Sequence, residues 1–364
     1  MRSRTTSARL RRSLLLATVL ASTALAARTL HATRSETTPA AAPAVAPARL
    51  SETGLFSDVA AGIVSEGVLA FTPQYPLWTD GARKRRWIRL PEGASIDATA
   101  PESWSFPVGT RVWKEFRFGA RVETRYMERG ADGWLYATYL WSEDGRDAVL
   151  APDRGVRGAC ETGLGTRHDV PSVLDCRACH DASPSAVLGF SALQLAPERD
   201  PGAPHAEEPE PGSVDVLALL AQGRLRGSPA AILAAARPIE AASPLERSAL
   251  GYLHANCGGC HNAAGPLASL GLELDYRHGD VAPARRSAFG RPSRFQPAGA
   301  RDARRIEPGQ PERSVLLQRM ASRFAATQMP PLGTHAVDET ALALVRAWIC
   351  SEPVAPEVAS AEPH

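Results

Sequence analysis

Along this chain the spacing of apolar and polar residues changes character several times. Residues 1–12 carry Arg2, Arg4, Arg9, Arg11 and Arg12 with no acid, and a mainly apolar run follows from Leu14, closing on Ala24-Leu25-Ala26. A charged start, a short apolar core and a small-x-small exit predict a secretory signal peptide over residues 1–27. The run is short for a bilayer span, so an uncleaved signal anchor is the alternative and the one route to a membrane. Residues 28–54, with Pro39, Pro43 and Pro47 among many alanines, have no apolar period and predict a disordered leader. Residues 55–155 read as β structure. Val112, Lys114, Phe116 and Phe118 alternate with Trp113, Glu115 and Arg117, and turns follow at Gly119-Ala120 and Gly130-Ala131-Asp132-Gly133. Period-two alternation between such turns predicts an antiparallel meander. Trp104, Trp113, Trp134 and Trp141 lie here and predict an aromatic core.

After Leu150 the rhythm lengthens. Residues 156–212 end in a linker, Ala203 to Gly212, rich in Pro and Glu. Residues 213–350 hold helical periods at 214–222, 230–236, 245–255, 315–323 and 337–349, and 351–364 predict a disordered tail. The last helix, around Trp348, is expected to cross the one carrying Gly251, with the glycine permitting the close approach. The fold class is α+β: an N-terminal antiparallel β domain, then a mainly α region.

Composition narrows the function. The chain has 364 residues, 44% hydrophobic and 22% charged, with a net charge of +2. That balance excludes a polytopic membrane protein and gives no basic domain for a nucleic-acid partner. Of 41 basic residues only Lys84 and Lys114 are lysines, which reads as codon bias rather than a phosphate-binding device. Six cysteines are too few for a disulfide scaffold, so their positions matter more than their number.

Cys176-Arg177-Ala178-Cys179-His180 and Cys257-Gly258-Gly259-Cys260-His261 both read C-x-x-C-H. In c-type haem attachment two thiols one helical turn apart add to the vinyl groups, and the next residue offers its imidazole to iron. A thioredoxin-like redox pair needs a βαβ context that neither motif has, and a zinc site built from both pairs does not require the histidines. The motifs therefore predict two covalently bound haem c groups, on Cys176, Cys179 and His180 and on Cys257, Cys260 and His261. For the second iron the sixth ligand is expected to be Met329, in Gln328-Met329-Pro330-Pro331, rather than Met320, which falls inside a helical stretch. For the first iron His168, His205, Met127 and an open position all stand. His254, His278 and His335 are expected to be solvated or hydrogen-bonded. Cys160 and Cys350 remain, an even remainder in an oxidising compartment, and predict a disulfide.

Several segments carry a family resemblance. These are residues 76–86, beginning Pro76-Leu77-Trp78-Thr79-Asp80-Gly81, then Phe106-Pro107-Val108-Gly109-Thr110, Glu123-Thr124-Arg125, Val170-Pro171-Ser172, Leu188-Gly189-Phe190, Asn256, residues 308–314 and Met329-Pro330-Pro331. With the two motifs they resemble secreted diheme c-type cytochromes that have a β-rich N-terminal region and a C-terminal cytochrome c domain, over roughly residues 56–350. The resemblance implies a periplasmic or secreted electron carrier, exported through a Sec-type signal, whose partners are a redox donor and acceptor. An enzyme with an open or displaceable distal site at the first haem, a peroxidase or small-molecule oxidoreductase, is the alternative.

Overall fold

The computed structural model describes residues 45–101, 103–280 and 283–354. The expected signal peptide, most of the leader and residues 355–364 of the tail lie outside the described residues. Among the described residues, no helix is long and apolar enough to cross a membrane.

Short strands β1 (Phe56–Asp58) and β2 (Ile63–Val64) precede the main sheet, which begins with β3 (Leu69–Ala70) and β4 (Arg83–Arg89). After β5 (Ile96–Asp97) it continues through β6 (Arg111–Phe118), β7 (Ala120–Arg129), β8 (Trp134–Trp141) and β9 (Ala148–Leu150). The order β3-β4-β6-β7-β8-β9 is antiparallel throughout, which is the expected meander. Gly119, at φ 78°, makes the β6–β7 turn in the left-handed region where a side chain is strained.

Both faces of this sheet are covered. On one face Trp87, Trp113, Tyr126 and Tyr139 pack under Leu50, Leu55 and Phe56. Residues 45–54 therefore belong to the fold, which shortens the leader expected over 28–54. Burying Leu50, Leu55 and Phe56 contributes about 2 kcal/mol each. Thr53 Oγ1 accepts from Trp113 Nε1 at 3.0 Å, and the Pro47 carbonyl accepts from Tyr139 Oη at 3.0 Å. Of the four tryptophans expected in the core, Trp104 and Trp113 are fully buried while Trp134 and Trp141 are half-buried.

The other face carries Ile88, Val112, Met127 and Tyr136 and takes its cover from much later in the chain: Phe190, Val216, Leu219 and Ile232. Those residues come from the loop after β10 (Val156–Glu161), β11 (Arg167–Val170) and helix α1 (Val173–His180), and from α2 (Val216–Ala221) and α3 (Pro229–Ala235). Strand β12 (Leu225–Arg226) even pairs in parallel with β5. The β domain ending at 155 and the helical domain beginning at 213 are thus not separate bodies. All described residues form one compact unit, because a sheet with two apolar faces must be buried on both.

The remaining helices are α4 (Pro244–Asn256), α5 (Pro283–Ala288), α6 (Val315–Ala321) and α7 (Glu339–Ser351). Ser243 caps α4 with Pro244 in the first turn, and Asp338 caps α7. Helices α4, α6 and α7 share a core of Ala249, Leu253, Leu317, Met320, Val345, Trp348 and Ile349. Helices α4 and α7 pack against each other, as expected, but Gly251 serves another contact. A Cβ there would collide with the ring of Tyr75, which reaches over from the segment between β3 and β4. Tyr75 Oη and Ser248 Oγ both donate to Asp200 Oδ2, at 3.1 and 3.0 Å.

Candidate functional site

The first C-x-x-C-H motif ends helix α1. Ser172 and Asp175 form a capping box at its start, and the helix buries no residue completely. Cys176 packs on the core beside the sheet. Tyr136 of β8 lies with its ring centroid 5.5 Å from that of His180 and donates to Asp181 at 2.6 Å. His180 Nδ1 lies 2.6 Å from the Ala186 carbonyl oxygen, so Nδ1 carries the proton and donates while Nε2 keeps its lone pair. That is the arrangement a metal-bound imidazole adopts, one nitrogen fixed by a backbone carbonyl and the other offered to the metal. Burial holds the His180 imidazolium down to about 4, so the ring is neutral at physiological pH.

The second motif forms the turn that leaves α4. Cys257 N–H and Gly258 N–H both donate to the Leu253 carbonyl, and Cys260 N–H and His261 N–H donate to the Cys257 carbonyl. Asn262, fully buried, closes the turn by donating to the Gly258 and Gly259 carbonyls. His261 Nδ1 is buried with no hydrogen-bond partner among the described residues. Burial lowers its pKa, and the charges of Arg319 and Arg305 lower it further. Arg319 also accepts the Met329 N–H on its carbonyl at 2.9 Å, which puts the Met329 loop and His261 about one arginine. Met329 is half-buried on a loop, whereas Met320 is 8% exposed inside the α4–α6–α7 core. Only the former is free to present its sulfur.

The two motifs adjoin. The Cys260 thiol acts on the Cys179 thiol, raising its pKa after burial itself. A Cβ on Gly265, just past the second motif, would lie 3.2 Å from the carbonyl of Ala182, just past the first. Burial raises all four thiols, Cys176 to about 11 and Cys257 to about 12, the opposite of the lowered pKa that activates a dithiol redox centre. They do not converge as tetrahedral zinc requires. No group of three or more His, Cys, Asp or Glu gathers among the described residues. A c-type haem would need no such group, since its iron takes one imidazole from the attachment motif.

Of the sixth-ligand candidates for the first iron, each has a partner or a buried place. His168 is 2% exposed, lies 2.9 Å from Glu123 Oε1, stacks on Phe116 and has the tilted Phe118 ring 4.9 Å away. His205 pairs with Asp338 at 2.8 Å, and Met127 is in the sheet core. His254 accepts the Tyr276 N–H and His335 pairs with Asp169 at 3.1 Å, in line with hydrogen-bonding roles. The Cys160–Cys350 disulfide is not formed. Both are free thiols, Cys160 in β10 and Cys350 exposed near the end of α7. His335 ties the approach to α7, not its end, to β11, and Cys350 lies about 18 Å along the helix from Asp338 at 1.5 Å per residue.

Sequence reasoning missed the contribution of the segment before β4. Asn256, the residue before Cys257, accepts the Trp78 N–H at 2.8 Å and donates to the Pro76 carbonyl. Asp80, fully buried, accepts the His335 and Ala336 N–H groups at 2.8 Å each, bracing the chain just after the Met329 loop. The run from Pro76 to Asp80 thus holds the residue before the second motif and the chain just after the Met329 loop. Its signal was present only as an unexplained cluster of specific residues. Beside it a cavity of about 690 Å³ is lined by Trp78, Lys84, Arg86, His205 and Glu207 among others. No family model, no curated protein and no solved structure matches this chain.

Proposed function

We propose that this protein is an exported diheme c-type cytochrome that passes electrons between redox partner proteins in the periplasm or outside the cell. The reading rests on the motifs, and the observation that carries it is their adjacency: the chain just past the second motif, at Gly265, packs against the Ala182 carbonyl just past the first. Two C-x-x-C-H turns held against each other fit a relay better than two independent sites would. When bound, each haem supplies a one-electron iron couple. The chain's own residues bind and orient. Cys176, Cys179, Cys257 and Cys260 are the attachment thiols, and His180 and His261 the proximal ligands. Met329, braced by Arg319 and through its following loop by Asp80, is the sixth ligand of the second iron. The Ala186 carbonyl fixes which nitrogen of His180 faces iron.

A second reading has its own support. Because His168, His205 and Met127 are all engaged elsewhere, the first iron is left without a sixth protein ligand from that set, as in a haem enzyme. The full-length protein, expressed with its export signal and a haem-attachment system, is expected to give two covalent haems per chain as a reduced pyridine adduct. One haem or none defeats the proposal. A far-red methionine–iron band is expected to vanish in Met329→Ala and persist in Met320→Ala. A high-spin first haem that responds to cyanide selects the enzyme reading, and two low-spin haems select the carrier.

A further inference from the structure

Three cations stand side by side across the middle of the sheet. Arg86 of β4 is opposite Lys114 of β6, and Lys114 is opposite Arg125 of β7. Lys84 lies two residues along β4 on the same face. Like charges directly opposite one another across strands destabilise a sheet, so this row needs a compensating partner. The carboxylates within reach are already shared. Glu123 takes Arg125 at 2.6 Å and also His168 at 2.9 Å. Glu207 takes Arg86 Nη1 at 2.7 Å and the Lys84 backbone N–H at 3.1 Å. What remains is one buried carboxylate oxygen, Glu123 Oε2, and an excess of cationic groups. Arg86 has a side chain only 4% exposed, and its Nη2 is buried with no partner. The Lys114 ammonium lies 5.2 Å over the Phe116 ring with no ion pair of its own among the described residues. The row shares a sheet face with Met127 and its cross-strand partner Tyr136, whose ring centroid lies 5.5 Å from that of His180 in the first motif. The two lysines of this arginine-rich chain both sit here, which codon bias does not explain.

We propose that Arg86, Lys114 and Lys84 form a carboxylate-binding site on the sheet face before the first motif, filled in the loaded protein by a propionate of the porphyrin on Cys176 and Cys179. The inference rests on the haem reading above. A compact ammonium with three donors and a spare guanidinium edge together match the two oxygens of a carboxylate. Burial depresses Lys114 well below the ordinary lysine range and brings Lys84 down to about 7, the behaviour of ammonium groups that an added anion would restore.

The test uses the full-length loaded protein, with haem count and the midpoint potential of each haem read from pH 5 to 8. In the native protein the first haem's potential is expected to be nearly flat. In Lys114→Met the propionate loses its cation and takes up a proton as the iron is reduced, so a slope appears at the first haem and not at the second. Lys114→Arg is expected to restore the flat profile. Glu123, His168 and Glu207 are unchanged throughout, so a slope confined to Lys114→Met belongs to the new titrating group. If Lys114→Met does not accumulate, Lys84→Met is expected to give a smaller slope of the same sign. An unchanged profile with both haems attached overturns this proposal and leaves the haem reading intact. Absence of haem on Cys176 and Cys179 in the native protein overturns the haem reading instead. Acetate and phosphate are the probes for a free anion. Saturable perturbation of the native first haem by either, lost in Lys114→Met, overturns the propionate assignment in favour of a free oxyanion.

Discussion

Two adjacent glycines in the second motif should respond in opposite senses to the same substitution. A Cβ on Gly258 would lie 2.7 Å from the His254 carbonyl oxygen, 2.9 Å from Asp275 Cα and 3.0 Å from Asp275 N. All three are backbone atoms, and none can rotate away. A Cβ on Gly259 would meet nothing within 4 Å. Neither residue has a positive φ, so space alone distinguishes them. Overpacking of this kind costs about 1–3 kcal/mol, and a clash with backbone belongs at the upper end. Where the added methyl fits, Gly→Ala instead stabilises by about 0.4–1 kcal/mol through the unfolded chain. The two variants should differ by about 3 kcal/mol, or roughly 6 °C in melting temperature at about 2 °C per kcal/mol. Gly258→Ala also displaces the turn on which the Cys260 and His261 N–H groups reach the Cys257 carbonyl, so it should lower haem attachment at the second motif while Gly259→Ala does not. Thermal melting by circular dichroism and covalent haem count are the assays. Equal shifts in the two variants, or a Gly258→Ala melting point within 1 °C of the parent (about 0.5 kcal/mol), would refute the close packing of this turn against Asp275.

Gly251→Ala sits inside α4, where removing a glycine normally stabilises by about 1 kcal/mol. The Tyr75 ring occupies the methyl's place, so the net effect by urea unfolding should be a loss of about 1–2 kcal/mol, and a net gain would show that Tyr75 does not seat there. Burial alone would raise the Glu123 carboxyl, but Arg125 and His168 outweigh it and hold it below the ordinary carboxylate range. A depressed folded pKa gives stability that is complete above the unfolded carboxylate value, near 4.3, and is lost as pH falls through the folded value. Urea midpoints of the parent should therefore fall below about pH 4 more steeply than those of Glu123→Gln, which should itself be about 3–5 kcal/mol less stable at pH 7. Parallel acid profiles would contradict the assignment.

Much of the local structure was legible. The strands from Arg111 to Trp141 and their turns followed from alternation and Gly positions, because a hairpin is written within a few dozen residues. The helices at 244–256, 315–321 and 339–351 followed from apolar spacing. The leader boundary failed because Pro47 and Ala48 look like linker in isolation, although their carbonyls serve Tyr139 and Leu150 of the sheet. The division into two domains failed for a similar reason: alternation identifies a strand's faces but not which distant segment will cover each. The Cys160–Cys350 pairing came from counting, and counting carries no distance.

By itself the sequence determined the chemistry on offer. Each C-x-x-C-H is a contiguous unit, since one helical turn sets both sulfurs and the imidazole in register whatever surrounds them. The tertiary structure decided which groups that chemistry has for company. It brought the two motifs together, tied His168 and His205 to carboxylates, and set Asp80 against the segment after Met329. It also turned two scattered lysines into part of one charged row beside the first motif. These are contacts between residues tens to hundreds of positions apart, fixed by the burial of a two-faced sheet, and no local pattern carries them.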